Sequence, residues 1–354
     1  MRYNTAFGSD NSRGGGIYIN NFSDIYIYNC TFTANTSNDG AGIYSEGQSN
    51  LQLLRSNISN NIGTGIDTRY SMINLESSVI EENSEYGLYL KNTTDTTTIS
   101  KTIIKFNLKE NIYVIGADIN IDNSLLIDKT QSNVNLRDYA SLNMDFCTVV
   151  QSNNIFYNQF RTYASITISN SILWTGLTAD HDDDIQISYS NIRGGWPGTG
   201  NINQNPGFVS ETDYHLSDSS ACIGQGSLSD NFFPMDLEDN FRSNPEGSTP
   251  DMGCYESTFG SESYITLLQV PTDFSTIQAA IDAATNGDTV LVDNGTYYEN
   301  LLIAHKYITF GSLFIMDGDE KYYSIPNSRA EVNNLFFLYQ MLRPPSITNS
   351  APVM

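Results

Sequence analysis

The densest run of chemistry-bearing residues in the chain is His181-Asp182-Asp183-Asp184. An imidazole beside three carboxylates can hold a divalent cation or move a proton. Asp182, Asp183 and Asp184 are therefore candidate metal ligands, with calcium the cation their oxygens suit. A charge run of this kind reads equally as a solvated acidic loop. A second group of acids, Asp236, Glu238, Asp239 and Asp251, has calcium-type ligands without the spacing of an EF-hand loop. His215, between Tyr214 and Leu216, and His305, beside Lys306, have no Ser or Cys placed to form a nucleophile–base pair, so no triad is supported and no catalytic residue is assigned. Arg69 and Arg137 lie shortly after rung strands, in Asp67-Thr68-Arg69 and Leu136-Arg137-Asp138, and read as surface ion pairs worth little energy.

Composition narrows the partners. The chain has 354 residues, 17 Lys and Arg, and a net charge of -23. Nucleic acid is excluded, because phosphate binding needs clustered cations. The same charge repels acidic polysaccharides and anionic membrane surfaces unless divalent cations bridge them, and otherwise serves solubility. No stretch has the length and apolar purity of a membrane span. The 4 cysteines are too few for a disulfide scaffold or a paired zinc site. Cys30 and Cys147 read as packed core thiols, whereas Cys222 and Cys254, in a loop-rich segment, form a candidate disulfide if the protein is exported. The opening MRYNTAFGSDNSRGGG lacks the charged start and apolar run of a signal peptide. Taken with the resemblances below, this leads to the expectation of an extracellular or cell-surface protein whose present sequence is an internal fragment.

The elements that must position these residues announce themselves by repetition. The stretch Ile25-Tyr26-Ile27-Tyr28-Asn29-Cys30-Thr31-Phe32 returns from Leu51, Ile73, Thr97, Ile119, Leu142, Ile166 and Ile185, a period of 19 to 26 residues. Third positions read Ile27, Leu53, Leu75, Ile99, Ile121, Met144, Ile168 and Ile187; sixth positions are small, and eighth positions run from Phe32 to Ile192. Apolar residues alternate with polar ones, the two-residue period of strands with one buried face. A repeat this short buries its apolar face only by stacking on neighbours, so the fold class is all-β, a parallel β-helix (solenoid). Gly-led strands such as Gly14-Gly15-Gly16-Ile17-Tyr18 and Gly40-Ala41-Gly42-Ile43-Tyr44 precede the pattern, and Asn35, Asn61, Asn83 and Asn107 follow it. Asn tolerates left-handed backbone, suiting a corner, and stacked amides can bond along the axis.

The expected organisation is 1–193, β-helix coils; 194–257, a loop-rich closing segment; 258–269, a linker; 270–324, a helix-led module; and 325–354, an irregular tail. The closing segment must cover the apolar end of the stack, with Tyr214, Leu216, Ile223, Phe232 and Phe233 as plugs. In the next module Ser275-Thr276-Ile277-Gln278 reads as a capping box opening a helix that Asn286-Gly287 ends.

The repeats GGGIYI, IYIYNCTFTAN and GAGIY resemble right-handed parallel β-helices of the pectin-lyase-like superfamily, over residues 14 to about 193. The run NPGFVSETDYHLSDSSACIGQG through MDLEDNFRSNPEGSTPDMGCYES is similar to the closing segment of choice-of-anchor Q proteins, with Cys254 and Asp239-Asn240 as departures. The run VPTDFSTIQAAIDAATNGDTVLVDNGTYYEN is similar to the N-terminal cap of such helices, which implies the first coils of a second β-helix. The hydrolase signatures Asn-Thr-Asp, Gly-His-Gly and Arg-Ile-Lys are absent. Two functions remain. One is a non-catalytic exported stalk or adhesin contacting polysaccharide or cell-surface glycans, with Tyr26, Tyr28, Tyr44 and Tyr89 as outward contacts; strand propensity alone also accounts for these tyrosines. The other is a calcium-dependent polysaccharide lyase. Self-association through an uncapped coil near Gly14 is a further expectation.

Overall fold

The computed structural model describes residues 1–6, 12–128, 132–152, 154–156, 164–175, 177, 184–227, 235–244, 248–258, 267–284, 288–293, 295, 297–303 and 308–312. Among the described residues each repeat but the last becomes one coil of three short strands, the last showing two, and like strands of successive coils pair in parallel. The first sheet has 7 strands, from Ile17–Ile19 to Asn154–Phe156; the second has 8, from Asp24–Tyr28 to Asp184–Ser188; the third has 8, from Thr31–Thr33 to Asn191–Ile192. The chain is thus an all-β parallel solenoid, and its contacts divide it into Met1–Glu262 and Ser263–Met354.

Register explains why the columns recur. Ile27 pairs with Leu53, Leu53 with Leu75, and Ile99 with Ile121, so third positions stack inward into one core. Complete burial of each such side chain stabilises the fold by about 1.5–3 kcal/mol. The sixth positions form a second ladder. Ser56 Oγ accepts the Cys30 N–H, Ser78 Oγ accepts that of Ser56, and the pattern reaches Ser190, whose N–H is taken by Asn201 Oδ1 after the last coil. Between them, every fifth position from Asn29 to Tyr189 has positive φ, including Arg55, Lys101 and Phe146. Arg55, Lys101 and Phe146 gain nothing intrinsically from left-handed backbone; the tight corner between two core strands imposes it.

The Asn column carries amide hydrogen bonds rather than the left-handed turn. Asn35, Asn61, Asn83 and Asn107 are buried, and each of the first three donates from Nδ2 to the next Oδ1 at 2.9–3.0 Å. Asn4 extends the ladder at one end, and Asn111 and Asn133 at the other. The positive φ belongs to the preceding residue: Ala34, Asn60, Glu82 and Phe106. The Gly-led strands make room for these amides, since a Cβ at Gly87 would lie 2.6 Å from Asn107 Nδ2.

The closing segment lies somewhere other than expected. Tyr214, Leu216 and Ile223 pack along the outer side of the third sheet, against Leu125, Ile127, Val150, Ile172 and Trp174. The outward residues there are apolar and need a cover, and the segment supplies it. Trp196 instead packs against the main core beyond the last coil, and Ile202 bridges Asn191. Phe232 and Phe233 lie outside the described residues. Arg242 pins the segment: its guanidinium is fully buried over the Phe146 ring at 4.1 Å, bonded to Asn123 Oδ1 at 2.6 and 2.8 Å and paired with Glu256 at 3.2 Å. Cys222 and Cys254 are buried free thiols in separate clusters, so the expected disulfide is absent from the structure. Cys147 is buried as expected, but Cys30 is exposed because its coil is the first of the stack in the third sheet.

In the second unit the helix Ile277–Ala283 is capped by Thr276, not Ser275: Thr276 Oγ1 accepts the Ala279 N–H at 3.2 Å, and the Glu299 carboxylate accepts those of Ile277 and Gln278. It packs with the strands Leu267–Val270, Thr289–Val292 and Thr309–Ser312, which form one parallel sheet. A coil needs strands in more than one sheet, so the described residues do not support a second β-helix. Asn286-Gly287 and residues 325–354 lie outside them.

Candidate functional site

The first sheet faces outward with a continuous column in which Tyr18, Tyr44, Asp67, Tyr89, Tyr113 and Asn135 are in register. Alternation places them there, because Ile43, Ile66, Leu88, Ile112 and Val134 take the inward positions. Two residues along each strand a second column runs through Glu46, Arg69, Lys91, Ile115 and Arg137.

Toward the first coils the column is a charge network. Arg69 bonds Asp67 at 2.7 Å and Asp39 at 2.9 Å, and Arg13 bonds Glu46 at 3.0 Å. Both guanidinium groups lie over the Tyr44 ring, at 5.1 Å for Arg13 and 5.5 Å for Arg69. Burial pushes the Asp67 carboxyl up to about 6 against the opposing hydrogen bond and charge of Arg69. Burial likewise raises the Tyr44 phenol. Glu46 moves the other way: burial raises it, but hydrogen bonds from Tyr18 and Tyr44 and the charge of Arg13 hold it below its ordinary value.

Further along, the column is aromatic. Tyr89 and Tyr113 stack with centroids 5.4 Å apart and planes at 3°, and Tyr86 tilts against both. Lys109 lies 4.8 Å over Tyr86, and Arg137 lies 5.5 Å over Tyr113. Such a surface offers ring faces beside cations, an arrangement suited to sugar rings. As a proton-abstracting base Arg69 is poorly placed, since two carboxylates hold it in its charged form.

The structure separates the residues expected to act together. Tyr89 belongs to this column, but Tyr44 is 0% exposed beneath Arg13 and Arg69, which overturns its reading as an outward contact. Tyr26 and Tyr28, at 63% and 51% exposed, stand on the second sheet. Asp184 is exposed at the start of its strand, while His181, Asp182, Asp183 and His305 lie outside the described residues. Asp236 and Asp251 are buried acceptors for backbone N–H groups of Glu238, Asn240, Glu256, Gly224 and Ser257, so their oxygens serve the closing segment. Glu238 faces His215, and Asp239 pairs with Lys101. Arg69 is a member of a half-buried network rather than an isolated surface pair. The sequence alone did not single out Tyr18, Tyr86, Tyr113 and Asp67, although the position after the inward Ile of a Gly-led strand marks two of them, Tyr18 and Asp67.

A family model described as "Right handed beta helix region" matches residues 9–149. With the parallel pairing of three sheets it supports a right-handed parallel β-helix for the coils. No curated protein matches the chain. Among solved structures, one described as "Crystal structure of pectate lyase Pel9A" is similar over 72% of this chain and 96% of its own, at 14% identity and a TM-score of 0.29. At that level the likeness says nothing about activity.

Proposed function

We propose that the protein is a non-catalytic β-helix displayed outside the cell, a stalk or adhesin that contacts glycans through the aromatic part of the first-sheet column. The stacked Tyr89 and Tyr113 with Tyr86 carry this reading, because rigid rings beside cations bind sugars at low entropic cost. The resemblance of residues 205–257 to choice-of-anchor Q closing segments supports export. A glycan array tests it. Binding should fall about tenfold in Tyr89→Ala/Tyr113→Ala, the loss of roughly 1.4 kcal/mol; an array at background for the parent chain would leave a purely structural role.

The second reading is a calcium-dependent polysaccharide lyase, favoured by the raised Asp67 carboxyl and by the acidic run Asp182, Asp183 and Asp184 as calcium ligands. Unsaturated products from pectate or alginate with calcium, abolished in Asp183→Ala/Asp184→Ala, would replace the first. Self-association through the first coil is also proposed; the edges of the strands Ile17–Ile19 and Asp24–Tyr28 away from their partners support it. A monomer by light scattering at high concentration would contradict it.

A further inference from the structure

A different outward column runs the full length of the second sheet. Gln52, Asn74, Thr98, Asn120, Asn143 and Thr167 are in register, with Tyr26 before them and Gln186 after. All eight positions are uncharged hydrogen-bonding side chains, in a chain of net charge -23. At about 4.8 Å per strand the seven intervals span roughly 34 Å.

Other polar columns of this molecule are consumed by their own ladders. The buried Asn amides bond one another, and the Ser and Thr hydroxyls of the corners bond backbone. In the second-sheet column only Thr98 and Asn74 bond each other, at 2.7 Å. Gln52, Asn120, Asn143, Thr167 and Gln186 make no side-chain hydrogen bond among the described residues, so their donors and acceptors point to solvent at the regular spacing of the strands.

The charges on either side select the partner. Asp24, Asp118 and Asp184 stand on the neighbouring outward row, and Glu76, Asp122 and Asp145 on the opposite one. An anionic polymer laid along the column would meet carboxylates on both flanks, whereas an uncharged polyol would meet acceptors for its hydroxyls. Beside the column the connection 92–96 is longer than the connections 116–117 and 138–140 of the next two coils, leaving a cleft of about 390 Å³. Its walls carry Thr94, Thr96, Asp95 and the Tyr139 ring, 74% exposed, and the buried Thr93 Oγ1 there has no partner.

The geometry points to a second polymer track on this sheet, which binds an unbranched, uncharged polysaccharide lying along the solenoid axis with one sugar face against Tyr139. Taking a glycan as the ligand class rests on the proposed function; the location and the neutrality of the ligand do not. The direct probe is co-sedimentation with microcrystalline cellulose, insoluble mannan and chitin, with polygalacturonate in solution as the anionic competitor. The parent chain should sediment with at least one neutral polymer and be unaffected by the competitor. Asn120→Asp/Thr167→Asp should lower the bound fraction about tenfold, because it places charges in the contact. Tyr89→Ala/Tyr113→Ala should stay within about twofold of the parent. Melting temperatures check folding, and Gln186→Glu at the exposed end replaces the double variant if that melts early. Failure to sediment with any neutral polymer, displacement by polygalacturonate, or equal binding of the charged variant overturns the second track. Loss of binding only in the Tyr89→Ala/Tyr113→Ala variant would also overturn it while leaving the first-sheet reading intact.

Discussion

The third sheet is one structure with two outer faces. In the early coils its outward residues are Thr31 and Thr33, then Asn57 and Ser59, and nothing described from the closing segment covers them. In the later coils they are Leu125 and Ile127, then Thr148 and Val150, then Ile172 and Trp174, all packed beneath the closing segment. Inward positions are alike in both regions, Phe32 and Ile58 matching Leu126 and Leu173. The corners follow the same division. Asn29 and Arg55 face solvent, whereas Asn123, Phe146 and Asn170 receive Arg242, Gly253 and Ser227. Inward columns therefore decide that a coil forms, and outward positions of the same strands decide what docks on it.

The sharpest way to break this contrast is at the pin. Arg242→Ala leaves Glu256 and Asn123 Oδ1 buried without their cation, and should destabilise the later coils by about 3–5 kcal/mol in urea unfolding followed by tryptophan fluorescence. Arg55→Ala, at the equivalent corner of a bare coil, should change stability by less than about 0.5 kcal/mol. Comparable losses would mean that the two regions do not differ in the way their corners indicate. A smaller effect separates inside from outside within the early coils. Asn83→Ala removes one member of the buried amide ladder, leaving the Asn61 backbone N–H without its acceptor and taking one partner each from Asn61 Nδ2 and Asn107 Oδ1, and should cost about 1–3 kcal/mol. Asn57→Ala, outward on the third sheet, should be near neutral by the same measurement.

What is periodic in the sequence is legible, and what is not periodic is hidden. Third and eighth positions predicted the core residue by residue, and the strands begin within one residue of the expected starts, as Asp24–Tyr28 does for Ile25. Asn35, Asn61, Asn83 and Asn107 were legible as a stack because identical amides recur at one offset. The left-handed residues beside them were not, since Ala34, Glu82 and Phe106 carry no compositional mark of that conformation. The seat of the closing segment was present but unread: Leu125-Leu126-Ile127 and Ile172-Leu173-Trp174 are apolar at three consecutive positions, the mark of a strand buried on both faces. The site suffered most. Tyr44 and Tyr89 occupy similar places in their strands and Arg69 lies over both rings; only the folded arrangement shows that Arg13 closes over Tyr44 as well.

The two regions should also part with pH. Around Arg242 the closing segment and the later corners bring together Asp122, Asp145, Asp251 and Glu256, with Asn123, Phe146 and Lys101 on the coil side and Asp236 and Asp239 on the segment. Burial raises all four carboxyls, reinforced by Asp145 for Asp122, which reaches about 6, and by Asp251 for Glu256. An acid whose folded pKa lies above its unfolded value binds more protons when folded. Its contribution is complete below the ordinary carboxylate range and is lost as pH rises through the folded value. His215, raised by Asp213 and Glu238 against the lowering effect of burial, acts in the same sense. Docking of residues 236–244 and 248–257 should therefore weaken from about pH 4 to above pH 6, read as faster amide exchange in those residues at pH 8 than at pH 5 after correction for intrinsic rates. Asp122→Asn should flatten part of this slope without abolishing docking, because Asp122 makes no described contact with the segment's backbone. A slope of the same size in the amides of Thr31–Thr33 and Asn57–Ser59 would assign the effect to the whole solenoid and remove pH from the list of differences between its covered and bare halves.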